Sequence, residues 1–303
     1  MSGTQAVEID AQYRQLREEC GLVERPDRGL LIVSGSEAAE YLQGQLTNDT
    51  EGIEPGAWVY AALLDRKGHM QADMRVLRPG DGPDLWLDLE PEGLAAASRH
   101  LQMYKIGREV EVADAGDDYV LFSLIGPRAT EIARAVEAVS LRSGEGVDLI
   151  VPGAERDRIR DALLAAGAVE VSPEAAEIVR IEAGRPRYGA EMGAATMPAE
   201  AGIVEQAVSF TKGCYIGQET VARLHYKGKP NRHLRGLRLS GPAQPGAALL
   251  LGEKEVGEVG SAAVSPAHGP IGLAILRREA EPGATLAVGE DGVTAEVVAL
   301  PFG

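Results

Sequence analysis

The run GLRLSGPAQPGAALLLGEKEVGEVGSAAVSPAHGPIGLAILRREAEPGATLAVGEDGVTAEVVAL, Gly236 to Leu300, decides the architecture of one end of the chain. Its strand-sized pieces GLRL, AALLLG, VGEVGSAAV, GLAIL, TLAVG and VTAEVVAL are punctuated by Gly and Pro and recur at roughly ten-residue spacing, the pattern of short strands joined by tight turns. Strand-sized apolar runs at this spacing with glycine turns between them predict a small β-barrel.

Upstream the texture is mixed. Glu109 to Ala113 and Tyr119 to Ile125 read as strands, a helix starts at Pro127, Val147 to Val151 reads as a strand, Ala154 to Ala166 as a helix and Ala168 to Val171 as a strand. That ββαβαβ order predicts an α+β sandwich of ferredoxin-like type. Pro127 sits where a first helical turn loses no hydrogen bond. Nearer the N-terminus, residues 9 to 20 predict a polar helix and Leu30 to Val33 a strand, followed by a helix opened by Ser36. Trp58 to Leu64 and His69 to Leu77 predict a hairpin closed at Asp65-Arg66-Lys67-Gly68. Leu85 to Leu89 adds a strand and Glu92 to Tyr104 a helix. The fold class is α+β.

At 303 residues the chain is longer than one core usually fills, which predicts two or three domains. Against 46 acidic residues there are 30 Lys and Arg, a net charge of -16, so neither a nucleic acid nor an anionic membrane is expected as a direct partner. Two cysteines 194 positions apart, Cys20 and Cys214, are too few for a disulfide framework or a four-cysteine metal site. The N-terminus carries acids and no apolar core of a signal peptide, and no run of about 18 apolar residues occurs, so a cytoplasmic protein is expected.

P-loop, GxGxxG, GxSxG and HExxH patterns are absent, which removes the sequence support for the chemistries they carry. No metal site is expected, since His225 and His233 are separated by Gly228 and Pro230, which break any shared helical register. Charge is concentrated elsewhere. From Glu205 to Arg238 lie seven basic residues (Lys212, Arg223, Lys227, Lys229, Arg232, Arg235, Arg238) against Glu205 and Glu219, a local +5 inside an acidic chain. The alternatives are a rim for an anionic ligand and a solvated basic face. Inside it is FTKGCYIGQE, Phe210 to Glu219, with glycines on both sides of Cys214 that admit a bulky approach to sulfur. Lys212 two residues away, and a helix start at Gln218, would both favour thiolate; the competing reading is a small buried apolar residue. Upstream, VRIEAGRPRYG, Val179 to Gly189, holds Glu182 among Arg180, Arg185 and Arg187 in what reads as a strand-to-turn segment. Glu182 is either an ion-pair partner or an acceptor for an amino-heterocycle.

KGCYIGQE at Lys212 to Glu219 resembles the signature of the YgfZ branch of the YgfZ/GcvT folate-binding family, relatives of the aminomethyltransferase of glycine cleavage. RIEAGRPRYG, Pro198 with Glu200, VARLHYKGKPNRHLRGLRL, YLQGQLTND at Tyr41 to Asp49 and ALLDRKGHMQADMRVL extend the likeness from Arg28 to the end. The resemblance implies a three-domain cloverleaf: a discontinuous folate-binding domain at 1–108 plus 175–235, a ferredoxin-like domain at 109–174 and a C-terminal β-barrel at 236–303. It implies tetrahydrofolate, or a one-carbon derivative, as cofactor. The pterin edge then falls to Glu182, with Arg180, Arg185, Tyr188, Tyr215 and Arg223 also around the ligand. Asp73 falls near the reactive folate nitrogens, and Cys214 and Lys212 become the chemical residues. Where the aminomethyltransferases carry Gly-Gly and paired aspartates, this chain has Gly68-His69 and Ala72-Asp73.

The implied function is a folate-binding protein that supports assembly or repair of iron–sulfur clusters in client enzymes, tRNA-modifying ones among them, with transient client or assembly proteins as partners. The alternatives are a folate-dependent aminomethyltransferase, a one-carbon transferase of the glycine cleavage kind, and a folate-dependent demethylase.

Overall fold

In the computed structural model, which describes residues 3–290 and 292–303, the chain begins with α1 (Gly3–Glu18), β1 (Gly21–Arg25), β2 (Gly29–Ser34) and α2 (Ala38–Gln45). The hairpin β3 (Trp58–Leu64) and β4 (Met70–Leu77) precedes β5 (Leu85–Leu89), α3 (Pro91–Tyr104), β6 (Glu111–Asp114), β7 (Tyr119–Ile125), α4 (Ala129–Ala133), β8 (Val139–Ser143) and β9 (Gly146–Pro152). Then come α5 (Arg156–Ala165), β10 (Val169–Glu170), α6 (Pro173–Glu182), α7 (Val204–Ala207) and α8 (Gln218–Lys227). The chain ends in β11 (Arg232–Leu239), β12 (Ala248–Leu251), β13 (Lys254–Glu258), β14 (Ser261–Ser265), β15 (Gly269–Arg277), β16 (Thr285–Val288) and β17 (Val293–Val298). Three sheets result, ordered β10-β1-β7-β9-β8, β3-β4-β5-β2-β6 and β13-β12-β16-β17-β11-β15-β14. No described helix is long and apolar enough to cross a membrane.

Two units emerge, interleaved along the sequence. The first comprises 1–42, 50–59 and 74–179, the second 43–49, 60–73 and 180–303, so the division cuts β3 after Val59 and β4 after Asp73.

In the first unit, β7 is the centre of its sheet, antiparallel to β1 and to β9, with β10 parallel to β1 at the edge. Alternate residues Phe122 and Leu124, and Val147, Leu149 and Val151, share a face with Cys20 and Leu22. Ile132 of α4 and Ile159 and Leu163 of α5, the last two one helical turn apart, cover that face. Two details depart from the sequence expectation. The strand expected to open the 109–174 segment is β6, and it pairs with β2 in another sheet. The 109–174 elements instead take β1 into their sheet, a five-residue strand with no polar alternation to mark it.

β5 and β2 of the first unit pair antiparallel, and Asp88 of β5 is the centre of a buried charged network. Asp88 accepts from Arg28 Nε at 2.9 Å, Arg28 Nη2 at 2.6 Å and Arg75 Nε at 2.6 Å, while Arg28 also binds Glu90 and Arg75 binds Asp148. Burial alone would raise the Asp88 pKa, but the two guanidiniums outweigh it and hold it down at about 2.

In the second unit the seven-stranded sheet curls into a half-barrel. The piece expected as one strand, VGEVGSAAV, is divided where the chain changes partner, β13 pairing with β12 and β14 with β15; Gly260, at the switch, lies too close to Glu191 for any side chain. Leu237, Leu239, Leu249, Val256, Leu276, Leu286, Ala295 and Val297 fill the concave core. Their small, branched shapes take the place of the scarce aromatics.

Candidate functional site

A second cluster within the same unit gathers the candidate site. Ala62, Leu64 and Met70 from the hairpin pack with Tyr188, Met192, Ala201, Ile203, Ala207, Val208, Tyr215 and Val221, and Tyr60 lies against them. Two glycines make this packing achievable. Gly68 closes the hairpin turn at φ +86°, and Gly217 precedes α8 at φ +85°; a Cβ on Gly217 would stand 2.6 Å from the Asp65 carbonyl, and one on Gly68 would stand 3.0 Å from Thr220. The start of α8 therefore rests directly on the hairpin turn, and only residues without side chains allow it. That is a packing reason for the second glycine of KGCYIGQE.

On β4 successive residues point to opposite faces. Ala72 is fully buried at 0%, whereas Asp73 is half-buried, and its Oδ2 accepts the Tyr60 hydroxyl at 2.5 Å across the hairpin. Tyr188 has its pKa raised by burial and, secondarily, by the negative field of Asp73, which places the two in electrostatic reach. Tyr215 is buried in the same cluster and pushed up to about 12 by desolvation, so its phenol stays protonated as a donor. Asp73, Tyr188 and Tyr215, three of the sequence-derived candidates, thus meet at one place.

Lys212 also reaches this neighbourhood, its ammonium 5.3 Å from the centre of the Tyr215 ring. Its main engagement is different from the expected one. Nζ donates to the carbonyls of Gln43 at 2.6 Å, Leu46 at 2.7 Å and Asn48 at 2.8 Å, at and just beyond the end of α2. An ammonium has three protons, and helix ends carry carbonyls without intrahelical partners, so the fit is chemically complete. The QLTND stretch it binds is fixed further: Thr47 Oγ1 donates to Ala207 at 2.5 Å and accepts from Ala62 N–H, and Asn48 Nδ2 donates to Tyr60 and Gln206 carbonyls. Lys212 anchors the loop that carries Cys214; the cation expected to act on the thiol is committed to the backbone.

Cys214 itself is exposed, while Cys20 is fully buried and its thiol raised to about 11 by desolvation. Downstream, α8 begins at Gln218 as expected. Phe210 stacks on His225 with ring centres 4.0 Å apart, and Arg223 is exposed on the same helix.

The Glu182 segment corrects the sequence reading. Val179 to Glu182 is the last turn of helix α6, not a strand, because the apolar spacing of Ala175, Ile178, Val179 and Ile181 follows a helical face. Glu182 is buried and accepts the Ser265 hydroxyl, which itself accepts from the N–H groups of Ala267 at 3.0 Å and His268 at 3.0 Å. Arg180, expected to touch a ligand, pairs with the buried Glu191 at 3.1 Å, donates to Ser261 Oγ at 2.6 Å and also donates to the Arg185 carbonyl. Its guanidinium holds the 185–191 turn in place. Arg185 is exposed. Among the residues that sequence reasoning missed, Tyr60 had a usable signal, since β3 and β4 are hairpin partners and the tyrosine faces the acid across them. Glu191 had none.

Over 97% of this chain and 89% of the other, the fold superposes on the crystal structure of the glycine cleavage system aminomethyltransferase T from Bartonella henselae, with a TM-score of 0.85 at 22% identity. Residues 4–145 match the GCVT N-terminal domain and residues 232–302 the glycine cleavage T-protein C-terminal barrel domain. The aminomethyltransferase of Exiguobacterium sibiricum is 29% identical over 299 residues, 89% of this chain and 82% of that protein. An uncharacterized protein of Haemophilus influenzae is 31% identical over 212 residues, 67% of this chain and 68% of that one. The chain belongs to the glycine cleavage T-protein family, whose aminomethyltransferase-like α+β fold with a curled C-terminal half-barrel it shares.

Proposed function

We propose that this chain binds a tetrahydrofolate beside Asp73 and acts through Cys214 as a folate-dependent maintenance factor for iron–sulfur enzymes, in the manner of the YgfZ branch. One observation carries the binding half: an acceptor carboxylate, half-buried and oriented by Tyr60 at 2.5 Å, stands at the edge of the apolar cluster that buries Tyr188 and Tyr215. A half-buried carboxylate held in one orientation beside apolar and aromatic side chains suits the ring nitrogens of an amino-heterocycle, which donate N–H groups to it. When bound, the folate supplies a one-carbon carrier. Asp73 accepts a proton or hydrogen bond at its nitrogens, and Tyr60 keeps that carboxylate in one rotamer. Glu182, buried and positioned by Ser265, takes the pterin amino edge, and the exposed Arg185 and Arg223 take the anionic glutamyl tail. Arg180 and Lys212 act as positioning residues.

Cys214 carries the second half. It is exposed on a glycine-flanked loop that Lys212 ties down, so a client's cluster can reach the sulfur without local unfolding. The clients and the cytoplasmic setting are part of the proposal.

A second reading, aminomethyl transfer, has its own support. Position 72 points away from Asp73, into a buried face, so the acid this chain lacks there is not one the site would have used. Formation of methylene-tetrahydrofolate from an aminomethyl-lipoyl carrier supports that reading. Restoration of iron–sulfur enzyme activities in a deletion strain by the wild-type gene, and not by Cys214→Ser, supports the first. Full restoration by Cys214→Ser sinks the thiol's role, and calorimetry showing no tetrahydrofolate binding sinks the folate.

A further inference from the structure

The first unit contains a cavity of about 440 Å³ that the proposed folate chemistry does not use. Both tryptophans of the chain, Trp58 and Trp86, line it together with Tyr119, and the Trp86 and Tyr119 rings meet edge to face at 5.0 Å. Leu77, Val139 and Ile150 add apolar surface. In a chain with 4% aromatics, three of them surround this one opening: each packs one side against the buried cluster of Leu30, Leu121, Leu141 and Ile150 and, being only partly buried, leaves ring surface for the cavity.

One cation shares this lining. Arg78 is half-buried, and its Nε is shielded from solvent without a hydrogen-bond partner among the described residues. Neither an ion pair nor a side-chain hydrogen bond ties Arg78 to any described residue, although Glu137 also lines the cavity. The contrast within the same unit is sharp: Arg28 and Arg75, similarly covered, are each bound by two carboxylates. A shielded guanidinium N–H without an acceptor is unfavourable, and a planar carboxylate is the acceptor its fork matches best. The volume lies within the range of small-molecule sites and suits one or two fused rings.

We infer that this cavity is a binding site for a small planar aromatic carboxylate, with the ring against Trp58, Trp86 and Tyr119 and the acid on Arg78. The ring and acid of such a ligand occur in a free metabolite and also in the benzoyl-glutamate arm of a folate; the inference is a free acid, in a site separate from that of the folate.

The protein carries its own reporter, since all tryptophan emission arises from residues of this cavity. Naphthalene-1-carboxylate is titrated into the full chain while the tryptophan fluorescence lifetime is followed, with naphthalene-1-carboxamide as the uncharged isostere. The expected result is saturable lifetime quenching by the acid, at least tenfold weaker binding of the amide, loss of that preference in Arg78→Gln and its retention in Arg78→Lys. Saturating tetrahydrofolate should leave the acid's titration unchanged. Absence of saturation, equal affinity for acid and amide, an unchanged preference in Arg78→Gln, or displacement by tetrahydrofolate in parallel with its own binding each overturns the inference. Should Arg78→Gln fail to fold, the acid and amide comparison on the wild-type protein decides by itself.

Discussion

Replacing Lys212 by methionine removes the ammonium and keeps the length and apolar stem of the side chain, so the change isolates the three bonds to Gln43, Leu46 and Asn48. Hydrogen bonds to a charged group contribute about 1.5–3 kcal/mol each, but three that share one ammonium and three clustered carbonyls do not add. Lys212 is half-buried, so some carbonyls regain water when it is lost, and a net loss of about 2–4 kcal/mol is expected. At roughly 2–4 °C per kcal/mol for a unit of this size, the melting transition should fall by about 4–16 °C. Lys212→Arg keeps the charge, yet a planar fork cannot direct three N–H groups at three converging carbonyls, and an intermediate loss is expected. Differential scanning calorimetry at neutral pH measures both. A methionine variant that melts within about 1 °C of wild type would refute the anchoring role, and with it the structural need for a lysine two residues before Cys214.

The two thiols should separate cleanly in the native protein: iodoacetamide at pH 8 should modify Cys214, exposed, and leave Cys20, buried with its thiol raised to about 11, unmodified until unfolding; mass spectrometry showing equal labelling contradicts the assignment. Glu182→Gln should weaken tetrahydrofolate binding by about tenfold or more if the carboxylate takes the pterin edge, and isothermal calorimetry with unchanged affinity removes it from the site. Asp88 has a folded pKa of about 2, below the usual carboxylate value, so its contribution is present above about pH 4 and is lost as pH falls toward 2. Asp88→Asn should therefore flatten the acid limb of the stability curve between those values, and a limb of unchanged steepness in urea melts counts against the network.

What was legible in the chain divides along physical lines. The β3–β4 hairpin was readable to within a residue because Asp65 to Gly68 supplies both the side-chain acceptor and the positive-φ glycine a tight turn requires. The half-barrel was readable from repeated Gly and Pro between short apolar runs. Strand β8 went unread although it is the hairpin partner of β9 across Gly144-Glu145, whereas β1 is five residues long and takes its stability from β7 and β10, about 100 and 150 positions further along the chain. Nothing local announces such a strand. The strand-to-turn expectation for Val179 to Gly189 fails over its first four residues because they complete a helix whose apolar face, Ala175, Ile178, Val179 and Ile181, begins upstream of the charged motif.

The candidate site shows where residue-type reasoning stops. A lysine near a cysteine, or an arginine near a glutamate, is compatible with catalysis and with anchoring, and the sequence contains the charges without their partners. The partners decide. Three carbonyls around Lys212 and a buried Glu191 beside Arg180 are nonlocal facts, the first joining position 212 to positions 43–48. A cation whose acceptors are all backbone or buried protein atoms is held in one geometry and contributes by fixing a loop. One that is exposed, as Arg223 is, or shielded without an acceptor, as Arg78 is, keeps its electrostatic attraction for a ligand. By that criterion the positive charge around Cys214 belongs partly to the scaffold, and a folate ring is left with two carboxylate acceptors, the buried Glu182 for its amino edge and Asp73, which Tyr60 holds across the hairpin, for its reactive nitrogens.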